Sequence, residues 1–302
     1  MSSFDTLQRY IFNEANVRGE VVQLKDTFQA ILDSYTYPPQ IQSLLGELMA
    51  ATSLLNATLK FEGEIGLQIQ SEGVVKYAVV NGTNDLKLRG VARWDETVEL
   101  PDTFAELFHK GYLVITITPK EGERYQGIVG LDKPTLGECI ETYFLQSEQL
   151  VTQVKLFSQL SGTEGDAANY AGGTLLQVLP TSAEATNVEE STEFTHLSAL
   201  TETLTAKELF SLDAKDVLYR LYHQENVEVF SPAPIVFQCS CSREATKVAL
   251  QNVELQTLLD IIKEDGDVKM NCQFCHKEYR FDEMDIRTLR AGFDPDSTGQ
   301  SS

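Results

Sequence analysis

Four cysteines near the C-terminus constrain this chain more than any other feature: Cys239 and Cys241 in FQCSCSRE, Cys272 and Cys275 in MNCQFCHKEY. They form a C-x-C and a C-x2-C pair, with thirty residues between Cys241 and Cys272. Two close thiol pairs brought together by a fold make a tetrahedral zinc site. Four sulfurs at about 2.3 Å then close the shell and leave no position open for a substrate. The C-x2-C pair reads as a zinc knuckle, whereas C-x-C is rarer in such sites and the intervening loop exceeds the usual ribbon spacing. The expectation is one zinc ion per chain, held by Cys239, Cys241, Cys272 and Cys275.

At 302 residues the chain has room for two domains, or for one large domain with an appendix. The opening MSSFDTLQRYIFNE lacks the basic and apolar blocks of a signal peptide, and no apolar run approaches membrane-spanning length. Five cysteines, four of them clustered, fit a reducing cytoplasm better than a secreted disulfide scaffold. A formal net charge of −21 argues against non-specific binding to nucleic acid or anionic membrane. It would also keep the chain dispersed if apolar surface were exposed, although solvated surface alone explains it equally well.

Residues 1–180 read as α+β, with a mixed or antiparallel sheet and helices. Strands are expected at Val17–Leu24, around Ile65, Leu67 and Ile69, over Val74–Val80 and Leu86–Val91, around Leu113, Ile115 and Ile117, and over Gln126–Leu131. Asn81-Gly82 predicts a hairpin turn between the Val74 and Leu86 runs. Helices are expected over Pro39–Leu55, with Ile41, Leu44, Leu45, Leu48, Met49, Thr52 and Leu55 on one face, and over Thr135–Leu150. The second contains Cys139, read as a small core hydrophobe.

Residues 181–231 read as a helical linker. Thr181–Thr205 holds seven threonines and no lysine or arginine. Phe194, Leu197, Leu200 and Leu204 then form a weak apolar face, Thr205 and Glu208 a capping box, and Asp213 a cap ahead of Val217, Leu218, Leu221 and Tyr222. Such an element can be docked in one state and mobile in another; an ordinary connector is the plainer reading. Residues 232–294 form the small four-cysteine domain and 295–302 a polar tail. Between the thiol pairs a helix is expected from Leu250 to Ile262, ended by Gly266, then a strand through Val268 and Met270, and a last helix over Asp282–Leu289. With so few large apolar groups, metal binding here would also be folding free energy, on the order of 10 kcal/mol.

Three uses of the site compete. A nucleic-acid ribbon would be basic, but Pro232–Asp294 carries eight Lys/Arg against eleven Asp/Glu. A catalytic zinc needs an open position that four thiolates fill, and His276 reads as a surface or supporting residue. The third use is redox. Metal-held thiolates stay nucleophilic, with Arg243, Lys247 and Lys277 nearby to favour the anion. A sulfenic acid formed on one would condense with its neighbour, giving Cys239–Cys241 and Cys272–Cys275 at some strain in the C-x-C bridge.

FQCSCSRE and CQFCHKEY, with RYIFNEANVRGE, YFLQSEQL (Tyr143–Leu150), AGGTLLQVLP (Ala171–Pro180) and YRLYHQE, resemble the 33 kDa chaperonin family of oxidant-activated bacterial holdases. Val151 stands where the family usually has Pro, and Tyr219 and Tyr222 where His and Phe are usual. The resemblance implies a cytoplasmic, ATP-independent chaperone, inactive while reduced and zinc-bound. It implies that the four cysteines ligate zinc, that oxidation forms the two neighbour disulfides, and that the zinc module and linker then unfold. It also implies a client-binding surface and a homodimer in the oxidised form. The function expected is therefore a holdase for unfolding proteins rather than an enzyme, with no nucleic-acid or membrane partner. The alternatives are a thiol–disulfide oxidoreductase using Cys272-x-x-Cys275, which would want a thioredoxin-like βαβ setting, and a purely structural zinc module. No P-loop is present: Gly162-Thr163-Glu164-Gly165 lacks the downstream Gly-Lys-Ser/Thr.

Overall fold

In the computed structural model, residues 4–58, 62–162, 168–179 and 191–291 are described. The polar start of the linker at 181–190, the 163–165 part of the glycine-containing stretch and the 295–302 tail lie outside them. The chain divides into two compact units between Gln238 and Cys239.

The first unit begins with β1 (Thr6–Phe12), β2 (Val17–Leu24), α1 (Asp26–Leu32) and α2 (Pro39–Thr58). It continues through β3 (Gly63–Gln70), β4 (Val75–Thr83), β5 (Lys87–Trp94), α3 (Phe104–Leu107), β6 (Tyr112–Pro119) and β7 (Tyr125–Gly130). Next come α4 (Leu136–Tyr143), β8 (Thr152–Gln159) and β9 (Tyr170–Val178), then α5 (Thr192–Glu202), α6 (Ala206–Ser211) and α7 (Ala214–Tyr222). Three two-residue strands close it: β10 (Glu228–Val229), β11 (Ala233–Pro234) and β12 (Val236–Phe237).

One sheet runs β10-β1-β2-β9-β8, with β11 also on β1, and all its pairings are antiparallel. The other runs β12-β5-β4-β3-β6-β7, antiparallel except for the parallel β12–β5 pair. The class is α+β, as the alternation implies. Helix α2 touches β2, β8 and β9 of the first sheet and β3, β4 and β5 of the second. It is accordingly buried beyond one face: Ala50, Ala51 and Leu54 are covered along with Leu44, Leu45 and Leu48. A helix apolar all round belongs between layers.

In the first unit two sequence expectations change. Asn81 and Gly82 lie inside β4, opposite Arg89 and Leu88. The turn comes later, where Leu86 N–H donates to Thr83 O at 2.8 Å and Leu86 takes a φ of +56°. Gly82 is needed for closeness rather than for turning, since a Cβ there would sit 3.0–3.1 Å from Leu88 and from Thr52 on α2. The helix expected over Thr135–Leu150 is α-helical only to Tyr143. It starts from the Thr135–Glu138 capping box, continues as a π-helical turn over Phe144–Glu148 and stops at Gln149 with φ +54°.

Helices α5–α7 do not dangle. Phe194, Leu197, Leu209, Phe210, Val217 and Tyr222 share a second apolar cluster with Tyr10, Phe12, Val17, Val21 and Leu176 of the first sheet. The capping box at Thr205 and Glu208 is present. Beneath the helices, buried Gln23 donates its amide to the carbonyls of Leu209 and Leu212. Gly172 lets the layers meet: a Cβ there would lie 3.1 Å from both Leu209 and Phe210.

Candidate metal centre

The second unit is built from α8 (Arg243–Ala249), α9 (Leu255–Asp265), β13 (Val268–Asn271), β14 (Glu278–Phe281) and α10 (Glu283–Ala291). Instead of one helix across Leu250–Ile262, Leu250–Asn252 forms a 3₁₀ turn and Val253 is extended (φ −98°, ψ 138°) before α9 begins. Gly266, at φ +87°, ends α9 as expected. Strands β13 and β14 pair antiparallel, with Asn271 opposite Glu278, so Cys272 and Cys275 occupy the hairpin tip. There His276 N–H donates to Cys272 O at 2.8 Å and Cys272 N–H to Lys277 O at 3.0 Å. The knuckle requires a left-handed residue after its second cysteine, and His276 supplies it at φ +54°. Cys239 and Cys241 arrive on the extended segment ahead of α8, whose N-cap Ser242 accepts from Ala245 N–H at 3.0 Å.

These two arms bring all four sulfurs within 4.8 Å of one another, the sole such cluster of potential ligands among the described residues. Cys239 and Cys272 are 3.5 Å apart, as are Cys241 and Cys275. A tetrahedron with 2.3 Å metal–sulfur bonds has edges of about 3.8 Å, so the four fit one ion with little adjustment. The set can hold a metal, and its all-sulfur chemistry suits a soft one.

As bare thiols the four are not equivalent. Burial, with help from hydrogen-bonded thiol neighbours, pushes Cys239 far up, and burial also raises Cys275. At Cys241 burial pulls upward too. The hydroxyl of Tyr279, donating to its sulfur at 3.2 Å, and the neighbouring thiols outweigh that and bring it down to about 7. Tyr279 was not singled out by sequence. Its signal, an aromatic four residues past the second knuckle cysteine, acquires meaning only through the hairpin register. Arg243 is less available to the thiols than its sequence proximity implies. It pairs with Asp285 at 2.5 Å, donates to Arg280 O at 3.1 Å and lies 4.8 Å over the Phe281 ring. Lys247 leans on the same carboxylate at 3.9 Å, and Lys277 lies 5.3 Å over the Tyr279 ring. Cys139 stays apart, fully buried in the first unit, its thiol raised by burial.

Below the cysteines the core is small: Leu250, Leu258, Val268, Tyr279, Phe281, Ile286 and Leu289. Among the described residues no helix is long and apolar enough to cross a membrane.

The family model described as Hsp33 protein matches residues 5–282. The 33 kDa chaperonin of Pseudoalteromonas atlantica is 62% identical over 291 residues, 96% of either chain. That of Shewanella sp. strain MR-4 is 48% identical over 296 residues, 98% of this chain and 99% of its own. Among solved structures, the 33 kDa chaperonin (heat shock protein 33 homolog) of Thermotoga maritima superposes with a TM-score of 0.78 at 22% identity. That match covers 94% of this chain and 97% of the other, and establishes likeness of fold. With its four sulfurs gathered at one point and relatives this similar along their whole length, the chain belongs to the Hsp33 family of chaperones.

Proposed function

We propose that this chain is a redox-regulated, ATP-independent holdase of the cytoplasm, which binds unfolding proteins and acts as a homodimer when oxidised. The convergence of four sulfurs over a small core carries the reading. In it, residues 1–180 form the chaperone and dimerisation domain, 181–231 a metastable linker, 232–294 the switch and 295–302 a polar tail.

Cys239, Cys241, Cys272 and Cys275 would hold zinc. Bound zinc would keep the sulfurs as thiolates and cross-link the C-x-C arm to the hairpin. A hydroperoxide takes two electrons from one cysteine, leaving a sulfenic acid and releasing water. The neighbouring thiolate attacks that sulfur, an S–S bond forms, and the displaced hydroxide leaves as a second water. Pairing within each arm, Cys239 with Cys241 and Cys272 with Cys275, closes very short loops and survives loss of tertiary structure. Afterwards no sulfur remains to bridge the arms.

The chain supplies a route from switch to linker. Val236 N–H donates to Leu86 O at 3.1 Å and Gln238 N–H to Leu88 O at 2.9 Å, so a two-residue strand is what precedes Cys239. Ladders this short open at low free energy. Once the module is unfolded, its motion strips β12 and loosens the chain leading back to α7. Undocking of α5–α7 then exposes the apolar cluster around Tyr10, Phe12 and Val21, and the charge of −21 disperses the client complexes. No observation favours the oxidoreductase, because Cys272-x-x-Cys275 sits on a two-stranded hairpin and not at a helix start after a strand.

The test is a peroxide titration of the reduced, zinc-loaded protein at mildly raised temperature. Zinc release is followed with a chromophoric chelator, disulfides by peptide mapping, and suppression of client aggregation at each step. Zinc and thiols should fall together as activity rises, roughly stoichiometric with client. Zinc loss without activity would reduce the site to a structural one.

A further inference from the structure

The loop between α1 and α2 and the loop after β5 meet around the chain's one tryptophan. Trp94 ends β5, and its ring centroid lies 5.9 Å from that of Tyr35 and 5.8 Å from that of Tyr37. The two tyrosines are 5.4 Å apart, and the three interplanar angles are 76°, 50° and 54°. Tyr35 and Trp94 meet edge to face, the other two pairs are tilted, and each ring packs against the next. Tyr37 is buried, whereas Tyr35 and Trp94 are half-buried: packed underneath and open above. The rings and Pro38 wall a groove of about 980 Å³. Across Trp94 and Pro38 it continues into a second hollow of about 600 Å³, walled by Val98, Leu100 and Pro101.

The rim is acidic, with Asp33 and Glu96 beside the first hollow and Glu96, Glu99 and Asp102 beside the second. No lysine or arginine lines either hollow among the described residues; Arg93 lies over the Tyr35 ring at 6.0 Å. Neutral donors aim the carboxylates: Gln29 to Asp33 at 2.7 Å, Tyr35 to Glu96 at 3.0 Å, Gln40 to Asp102 at 3.1 Å. They orient the charge without cancelling it.

We propose that this groove binds an extended, basic, proline-containing segment of a partner protein in the polyproline II conformation. Such a segment rises about 3.1 Å per residue with three residues per turn, so its ridges recur about every 9 Å and successive ones can straddle the Trp94 wall. Proline rings pack on aromatic faces at little entropic cost. Arginines between them meet both the oriented carboxylates and the outer ring faces. This is a selective surface, distinct from the apolar cluster beneath α5–α7.

The experiment uses the full-length, reduced, zinc-loaded chain and follows Trp94 emission. The titrants are a capped peptide of Pro-x-x-Pro repeats carrying arginines, a copy with alanine for proline, and a copy with glutamine for arginine. The first peptide should shift Trp94 emission saturably, and each copy should bind about fivefold or more weakly. Glu96→Gln with Asp102→Asn should weaken the first peptide similarly, and Tyr35→Ala more. Far-UV circular dichroism checks each variant; should Tyr35→Ala fail to fold, the exposed carboxylate pair decides. Equal binding of the proline-free copy, or of a neutral apolar peptide, overturns the proposal. So does binding by anisotropy of labelled peptide with unchanged Trp94 emission.

Discussion

Glu20 is an ionisable group in an expensive place. It sits on central strand β2, 2% exposed, opposite Arg9 on β1 and two residues from Arg18. Burial pushes its carboxyl up to about 7 although both arginines pull it down. The folded state therefore holds this proton more tightly than the unfolded chain, whose glutamate titrates near 4.5. The stability this contributes is complete below the unfolded value and is lost as pH rises through the folded one, amounting to up to about 3 kcal/mol. Glu20→Gln should raise the melting temperature at pH 8 and flatten its decline between pH 5 and 8. Glu47, also raised to about 7 by burial, keeps part of that slope. Thermal unfolding across that range checks this, and an unchanged slope would mean the arginines hold Glu20 ionised. At this scale the site was half legible. The cysteines announce themselves through local spacing. Tyr279 and the left-handed turn at His276 act through the β13–β14 register, which no spacing states.

Among the elements, α5–α7 divide what sequence can and cannot say. Their boundaries are written in local chemistry, with Ser191 and Thr205 as caps, although Asp213 holds the N-cap position of α7 without a side-chain cap hydrogen bond. Their docking is not, because the surface that receives them includes β1 and β9, strands that pattern conceals. In β1, polar Gln8 is buried directly after buried Leu7, which breaks the expected alternation. In β9 almost every side chain is buried, and Gly172-Gly173 lowers the strand propensity of a run covered on both faces. Tyr222 is the pin of this docking. It is 1% exposed, its ring is 4.9 Å from Phe12 and 5.7 Å from Tyr10, and its hydroxyl meets Thr201 at 2.5 Å. Tyr222→Ala removes a large buried aromatic, a loss of about 3–5 kcal/mol. It is expected to make residues 191–227 protease-sensitive in reductant and, on the proposed function, to raise aggregation suppression without peroxide. A released linker with no gain in activity would place client binding elsewhere.

For the whole molecule, the two units differ in what holds them. The first buries two large clusters against two six-stranded sheets. The second has, among the described residues, one apolar cluster of seven buried side chains, a two-stranded hairpin and four sulfurs. A core that small leaves little beyond the entropy of ordering the chain, so on the proposed function metal binding on the order of 10 kcal/mol would decide whether it folds. Chelation in reductant, with no oxidant present, should therefore abolish amide-exchange protection across 239–291 while leaving β2, β4 and α2 protected. Cys272→Ser should do the same without chelator and lose tight stoichiometric zinc. Exchange mass spectrometry separates the outcomes. Protection that persists in the second unit after zinc is gone would show that its apolar core suffices, and a switch worked by metal loss would then have nothing to melt.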